Sequence, residues 1–177
     1  VSAARLRVFY ALWPEPALQK ALASWGTNMQ RELGGRLTRA ETIHLTLAFV
    51  GEVDAGRVDA LLEIGAALSG TPFDLPLDRV GCWPHNGVAW AGSAQTPSPL
   101  STLVGELRAE LRGAGFPVED RGFEAHVTLL RKARCGPLKW QPGGPLAWPV
   151  RRFVLVRSVL GSQGSTYSEL AGWPLQP

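Results

Sequence analysis

Ile43-His44-Leu45-Thr46-Leu47 and Ala125-His126-Val127-Thr128-Leu129 are two short strands carrying the same His-x-Thr pattern 82 positions apart. Other landmarks keep nearly the same offset. Val8 and Val88, each opening a strand that leads into a helix, are 80 apart, as are Phe73 and Phe153, and Gly81 and Gly161. A chain that repeats itself at a fixed spacing builds the same unit twice. Residues 1–84 and 85–177 therefore each read as strand, helix, His-bearing strand and final strand. The expected fold is α+β, with two pseudo-symmetric lobes in a single domain over residues 1–177. Each lobe would be an antiparallel-rich sheet with helices outside, and a cleft would lie between the sheets.

Local signals fill in the elements. Val8-Phe9-Tyr10-Ala11-Leu12-Trp13 is an apolar run stopped by Pro14. The helix after it spans Glu15 to Leu33, with Leu18, Leu22 and Trp25 at helical spacing. Its counterpart spans Pro99 to Gly113, with Leu100, Leu103, Val104, Leu107 and Leu111 on one face. Prolines suit the openings of both helices, and Gly34-Gly35 and Gly113 suit their ends. Phe73 to Gly81 and Phe153 to Gly161 each read as a strand. The first half has an extra helix over Ala55 to Leu68. The second has instead the Pro/Gly-rich stretch Gly136 to Pro149, read as an irregular loop.

Side chains alternate along a strand. His44 and Thr46 share one face while Ile43, Leu45 and Leu47 share the other, and the second strand repeats this. Each His strand thus has an apolar face for its lobe and a polar face for the cleft. A twofold relation brings two imidazoles and two hydroxyls together. Imidazoles with an ordinary pKa near 6.5 suit general acid–base catalysis. Hydroxyls can donate to phosphate oxygens, and an arginine can stabilise charge on phosphorus. Arg131 lies three residues after Thr128. On an ideal strand it faces away, so it needs a bulge or the strand end to reach the cleft.

Charge and cysteine usage narrow the classes. The net charge is +3, and Arg outnumbers Lys 15 to 3. The positive excess sits in the second half, and arginine is the better bidentate partner for phosphate. No apolar run approaches the roughly 20 residues of a membrane span, and the opening Val-Ser-Ala-Ala-Arg lacks the apolar stretch that a secretory signal needs, so none is expected there. Cys82 and Cys135 are expected as two separate thiols in a reducing compartment, which makes the protein cytoplasmic. Cys82 and His85 have zinc-like spacing, but no second ligand pair accompanies them. There is no Gly-x-Ser-x-Gly elbow, no phosphate-cradling Gly-x-x-x-x-Gly-Lys loop and no Gly-x-Gly-x-x-Gly. No metal and no cofactor is expected.

His44-Leu45-Thr46-Leu47 and His126-Val127-Thr128-Leu129 resemble the paired motifs of the 2H phosphoesterases. Within that superfamily the chain is similar to the LigT-like RNA 2′,3′-cyclic phosphodiesterases, also called 2′–5′ RNA ligases. The likeness extends to Phe9 through Pro14, Phe49-Val50-Gly51, Phe73 to Gly81, and the closing Ser158 to Leu175. Glu124-Ala125 stands where the family has a Pro before the His. The resemblance implies a metal-independent hydrolysis of RNA 2′,3′-cyclic phosphate ends to 2′-phosphates. His44 would be the proton donor and His126 the proton acceptor. Thr46, Thr128 and Arg131 would bind the phosphate. It also implies reversible 2′–5′ ligation. Phe9, Phe49 and Tyr167 are candidates for stacking the terminal base. The partner would be RNA with a cyclic phosphate terminus, a tRNA fragment among the options. A monomer is expected, because one chain already holds both half-sites. Two alternatives stay open: a phosphodiesterase on a small cyclic nucleotide or an ADP-ribose cyclic phosphate, and a weakly catalytic RNA-end binding protein.

Overall fold

The structure is a computed structural model that describes residues 4–177. The opening residues Val1 to Ala3, read above for a leader, lie outside them. Strand β1 (Arg5–Leu12) leads to helix α1 (Pro16–Leu33), a two-residue strand β2 (Arg36–Leu37) and the first His-x-Thr strand, β3 (Leu45–Asp54). Helix α2 (Val58–Ala67) and strands β4 (Phe73–Leu77) and β5 (Arg79–Trp83) complete the first half. The second half runs β6 (Val88–Gly92), α3 (Ser98–Gly113), β7 (His126–Arg131), β8 (Leu146–Val150), β9 (Arg152–Gly161) and β10 (Gly164–Pro174).

The class is α+β, as expected. The main strands lie in the order β10-β9-β1-β3-β7-β6-β5. Two groups are visible in that order, β10-β9-β1-β3 and β7-β6-β5, and they join at the register pair Leu45↔Val127. The groups do not follow the sequence halves. β5, which ends the first half, pairs with β6, and β9 from the second half pairs with β1 from the first.

The periodicities explain the packing. α1 buries Leu22, Trp25, Met29 and Leu33, and α3 buries Leu100, Leu103, Val104, Leu107 and Leu111. These stripes cover the apolar face of the strands. Burying one such Leu stabilises by roughly 1.5–3 kcal/mol. β1 is buried on both faces from Val8 to Leu12. Its Val8, Tyr10 and Leu12 enter the main core. Its Phe9 and Ala11 form a second cluster with Val154 and Val156, flanked by Trp13 and Tyr167.

Three expectations need correction. The stretch Gly136 to Pro149 is not wholly irregular: it runs into β8, which pairs with β4 from Phe73↔Val150 to Leu77↔Leu146. Its Trp148 and Val150 point inward and its Ala147 and Pro149 outward, and a two-stranded ribbon tolerates Pro149 where a central strand would not. Phe73 to Gly81 is likewise not one strand but β4 and the start of β5, in different sheets. Finally, Cys82 and Cys135 are not separate thiols. They form a disulfide, with their Cα atoms 5.4 Å apart. The backbone brings them together because the Ala133 N–H donates to the Gly87 carbonyl, laying the segment after β7 against the β5–β6 turn. The bond removes Cys82 as a zinc ligand, and with it the thiol argument for a reducing compartment.

Candidate active site

The Leu45↔Val127 pair sets the site. In its antiparallel register His44 falls across from Thr128, and Thr46 across from His126. Leu45 and Val127 are buried, so the flanking polar residues face the other way. There they line one cavity of about 1190 Å³ together with Phe49, Arg131 and Tyr167.

Both imidazoles are aimed by the same local device. His44 Nδ1 lies 2.7 Å from the Thr42 carbonyl, and His126 Nδ1 lies 2.8 Å from the Glu124 carbonyl. A carbonyl can only accept, so each Nδ1 carries the proton and each Nε2 is left for the cavity. The bond reaches back two residues in both copies, and the repeat is thus preserved at the level of one hydrogen bond. Upstream of His44 a 3₁₀ turn covers Ala40–Thr42, the strand begins at Leu45 rather than at the expected Ile43, and Gln19 Nε2 donates to the Ile43 carbonyl at 3.2 Å. A buried glutamine on α1 therefore fixes the backbone immediately before the imidazole.

Aromatic rings enclose the two histidines differently. Trp13 stacks flat on His44, with centroids 4.9 Å apart and planes 5° apart. Phe9 packs on it at 5.0 Å and Tyr167 meets it edge-on at 5.3 Å. Trp83 meets His126 edge-on at 4.7 Å. Burial, which disfavours the charged imidazole, and to a smaller extent the Arg131 and His126 charges together bring His44 down to about 4, against the pull of the Thr42 carbonyl. Burial likewise lowers His126, aided by Arg131 and Arg121 and opposed by the Glu124 carbonyl and carboxylate.

Arg131 reaches the cavity through a bulge. β6 and β7 pair as Ala89↔Leu130 and then Trp90↔Thr128, so Leu129 is an extra residue on β7. The bulge resets the alternation: Leu129 and Leu130 are both buried, and Arg131 regains the face of Thr128. β3 does the same. Its pairing with β1 steps from Tyr10↔Ala48 to Ala11↔Thr46, which makes Leu47 the extra residue and returns Phe49 to the face of Thr46. Phe49 thus occupies in the first copy the place of Arg131 in the second.

Of the stacking candidates, Phe49 is 39% exposed, with the Arg7 guanidinium over its ring at 4.8 Å. Tyr167 also lines the cavity. Phe9 does not: it is 3% exposed and packed against His44, which leaves no face free for a base. Its candidacy is withdrawn, and its place is beneath the imidazole. Trp13 and Trp83 were missed by sequence reasoning. The signal available for Trp13 was its position at the end of the strand that pairs with β3.

Known proteins resemble this chain in sequence and fold. Residues 12–90 match the family described as LigT like phosphoesterase. The chain is 31% identical to the RNA 2′,3′-cyclic phosphodiesterase of Escherichia coli, covering 96% of each chain. It is also 31% identical to the protein of the same name from Thermus thermophilus, over 97% of this chain and 91% of that one. The crystal structure of E. coli LigT complexed with 3′-AMP superposes with a TM-score of 0.91 at 30% identity, covering 98% of this chain and all of that one. The sequence likeness along nearly the whole length and the shared fold agree, and the chain belongs to the LigT-like phosphoesterases.

Proposed function

We propose that this protein hydrolyses RNA 2′,3′-cyclic phosphate ends to 2′-phosphates by two-histidine acid–base catalysis. The observation that carries this reading is the matched pair of Nδ1–H···O=C bonds, which leaves two Nε2 atoms and two threonines facing one cavity. His126 Nε2 takes a proton from water as its oxygen attacks phosphorus. His44, protonated at Nε2, gives its proton to the 3′ oxygen as the P–O3′ bond breaks. Thr46, Thr128 and Arg131 hold the non-bridging oxygens, whose charge grows in the transition state. A 2′-phosphate and a free 3′-hydroxyl result. With a 5′-hydroxyl of a second RNA in place of water, the same steps form a 2′–5′ link.

No step is routed through a metal, since the imidazoles move the protons and Arg131 meets the phosphate charge. Residues 1–177 act in this reading as one bilobal unit and as a monomer, because one chain holds both histidines.

The test is a short RNA with a 2′,3′-cyclic phosphate, incubated in EDTA with wild type, His44→Ala and His126→Ala. The expected product is a 2′-phosphate made by wild type, with a loss of roughly 10²- to 10⁴-fold in each variant. RNA bound without product would overturn the enzyme reading for this substrate.

A further inference from the structure

Five arginines line the cavity: Arg36, Arg39, Arg108, Arg121 and Arg131. Three are already engaged. Arg121 holds Glu119 at 2.8 Å, Arg108 donates to the Arg121 carbonyl at 3.1 Å, and Arg39 donates to the Ser165 carbonyl at 2.7 Å. Arg36 and Arg131 have no side-chain hydrogen bond and no acidic partner among the described residues. These two stand directly opposite each other in the β2–β7 register.

Directly opposed like charges on an antiparallel pair repel, because their Cβ atoms are only about 4.5–5.5 Å apart. Side chains of opposed residues also leave the sheet on the same face. The backbone goes out of its way to create this pair. β2 is two residues long, and it reaches β7 through Gly35, whose φ is +86°. A Cβ at Gly35 would lie 2.7 Å from the Arg131 carbonyl oxygen. A glycine is thus required there on both counts, conformation and space. An exposed pair of opposed, unpartnered guanidiniums beside a phosphate site is an arrangement that an anion completes.

One phosphate does not account for both. A cyclic phosphodiester carries a single negative charge, which Arg131 matches at the reacting centre. Arg36 lies on β2, level with Arg131 and on the same edge of β7 as β3, so its charge is available for a second anion. We propose that Arg36 is a specificity-determining residue that binds the next phosphodiester along the chain, the one 5′ of the terminal nucleotide. The enzyme is thereby built for an oligonucleotide end rather than for a mononucleotide. This rests on the reading of the site as an RNA-end phosphodiesterase.

The experiment compares Arg36→Gln with wild type on two substrates, adenosine 2′,3′-cyclic phosphate and an adenylyl dinucleotide ending in the same cyclic phosphate. Arg157→Gln, which removes an exposed charge outside the cavity, controls for net charge. The expected result is a roughly tenfold or greater loss of kcat/KM on the dinucleotide in Arg36→Gln, as for a charge-assisted hydrogen bond. The mononucleotide rate should be unchanged, and Arg157→Gln should match wild type. Binding of the dinucleotide 2′-phosphate, followed by fluorescence anisotropy, should lose about 0.7 from its log–log salt slope in Arg36→Gln. Equal losses on both substrates would put Arg36 on the reacting phosphate and overturn the proposal, as would no loss on either. Should wild type turn over neither substrate, the functional reading fails instead. The salt slope then decides, since an unchanged slope in Arg36→Gln overturns this inference by itself.

Discussion

Phe49 and Arg131 occupy equivalent places in the two copies, each three residues after its threonine and each returned to the cavity face by a bulged leucine. The backbone of the cleft is nearly symmetric, and this one position gives it a charged end and an aromatic end. Arg131→Gln should lower kcat by about 10²- to 10³-fold, since it removes a donor to a developing charge. Phe49→Ala should act mainly on KM, raising it by roughly 5- to 100-fold through lost base stacking. Steady-state kinetics separates the two. A kcat effect in Phe49→Ala with normal KM would contradict the assignment.

The histidine environments make a prediction about pH. The proposed mechanism has His44 protonated and His126 neutral. In the free protein both hold protons less tightly than the ordinary imidazole, His44 down to about 4. The pH profile of kcat/KM reports free-enzyme groups, so its maximum should fall below about pH 6.5. A bound phosphate anion favours the charged imidazole, and the kcat profile should therefore sit at higher pH than that of kcat/KM. A kcat/KM maximum above pH 8 would sink the assignment. Stability has the same sign: the unfolded chain binds more protons between pH 4 and 6.5, so melting temperature should rise across that window.

Trp13 holds one face of His44 away from water. Removing it admits solvent and relieves the penalty on the charged form. Trp13→Ala should raise the His44 pKa from about 4 toward the ordinary 6.5 or so. Titration of the imidazole carbon-bound protons by NMR measures this directly. An unmoved value would mean that Phe9, Tyr167 and the backbone suffice to dry the ring.

The Cys82–Cys135 bond closes a loop with a sequence separation of 53. Constraining a loop of that size in the unfolded chain is worth about 4 kcal/mol in the chain-entropy account, and measured values run at or below this. The double variant Cys82→Ala/Cys135→Ala should lose about 2–4 kcal/mol in urea unfolding. Wild type treated with dithiothreitol should match it. Coincident unfolding curves for oxidised wild type and the variant would show that the bond constrains nothing.

What the sequence made legible was local. The His-x-Thr strands could be read because apolar and polar residues alternate within five positions, and α1 and α3 because their apolar residues recur at helical spacing. The meeting of the two histidines in one cavity followed from the repeat, since two copies of one strand need only a common axis to meet. Features that depend on a distant partner were hidden. Leu47 and Leu129 look like ordinary strand residues, and only the register with β1 and β6 makes them bulges. β8 was obscured by Pro149, which is acceptable solely because its ribbon has two strands. The disulfide depends on a long-range backbone contact, the Ala133 N–H on the Gly87 carbonyl, that no spacing rule reveals. Trp13 was visible as a strand stop, while its contact with His44 belongs to the packing of β1 beside β3.

The exchanged pairings, β5 with β6 and β9 with β1, bear on what the covalent link between the halves accomplishes. Two identical half-chains trading their last strands could assemble the same sheets and the same two imidazoles. Such a dimer would have to present one residue type at both the Phe49 and Arg131 positions, and its substrate would meet either imidazole with equal ease. Joining the copies into one polypeptide lifts that constraint. Each side can then diverge alone, and the cleft acquires a direction: in the proposed mechanism a ligand has one way round to lie, and acid and base cease to be interchangeable.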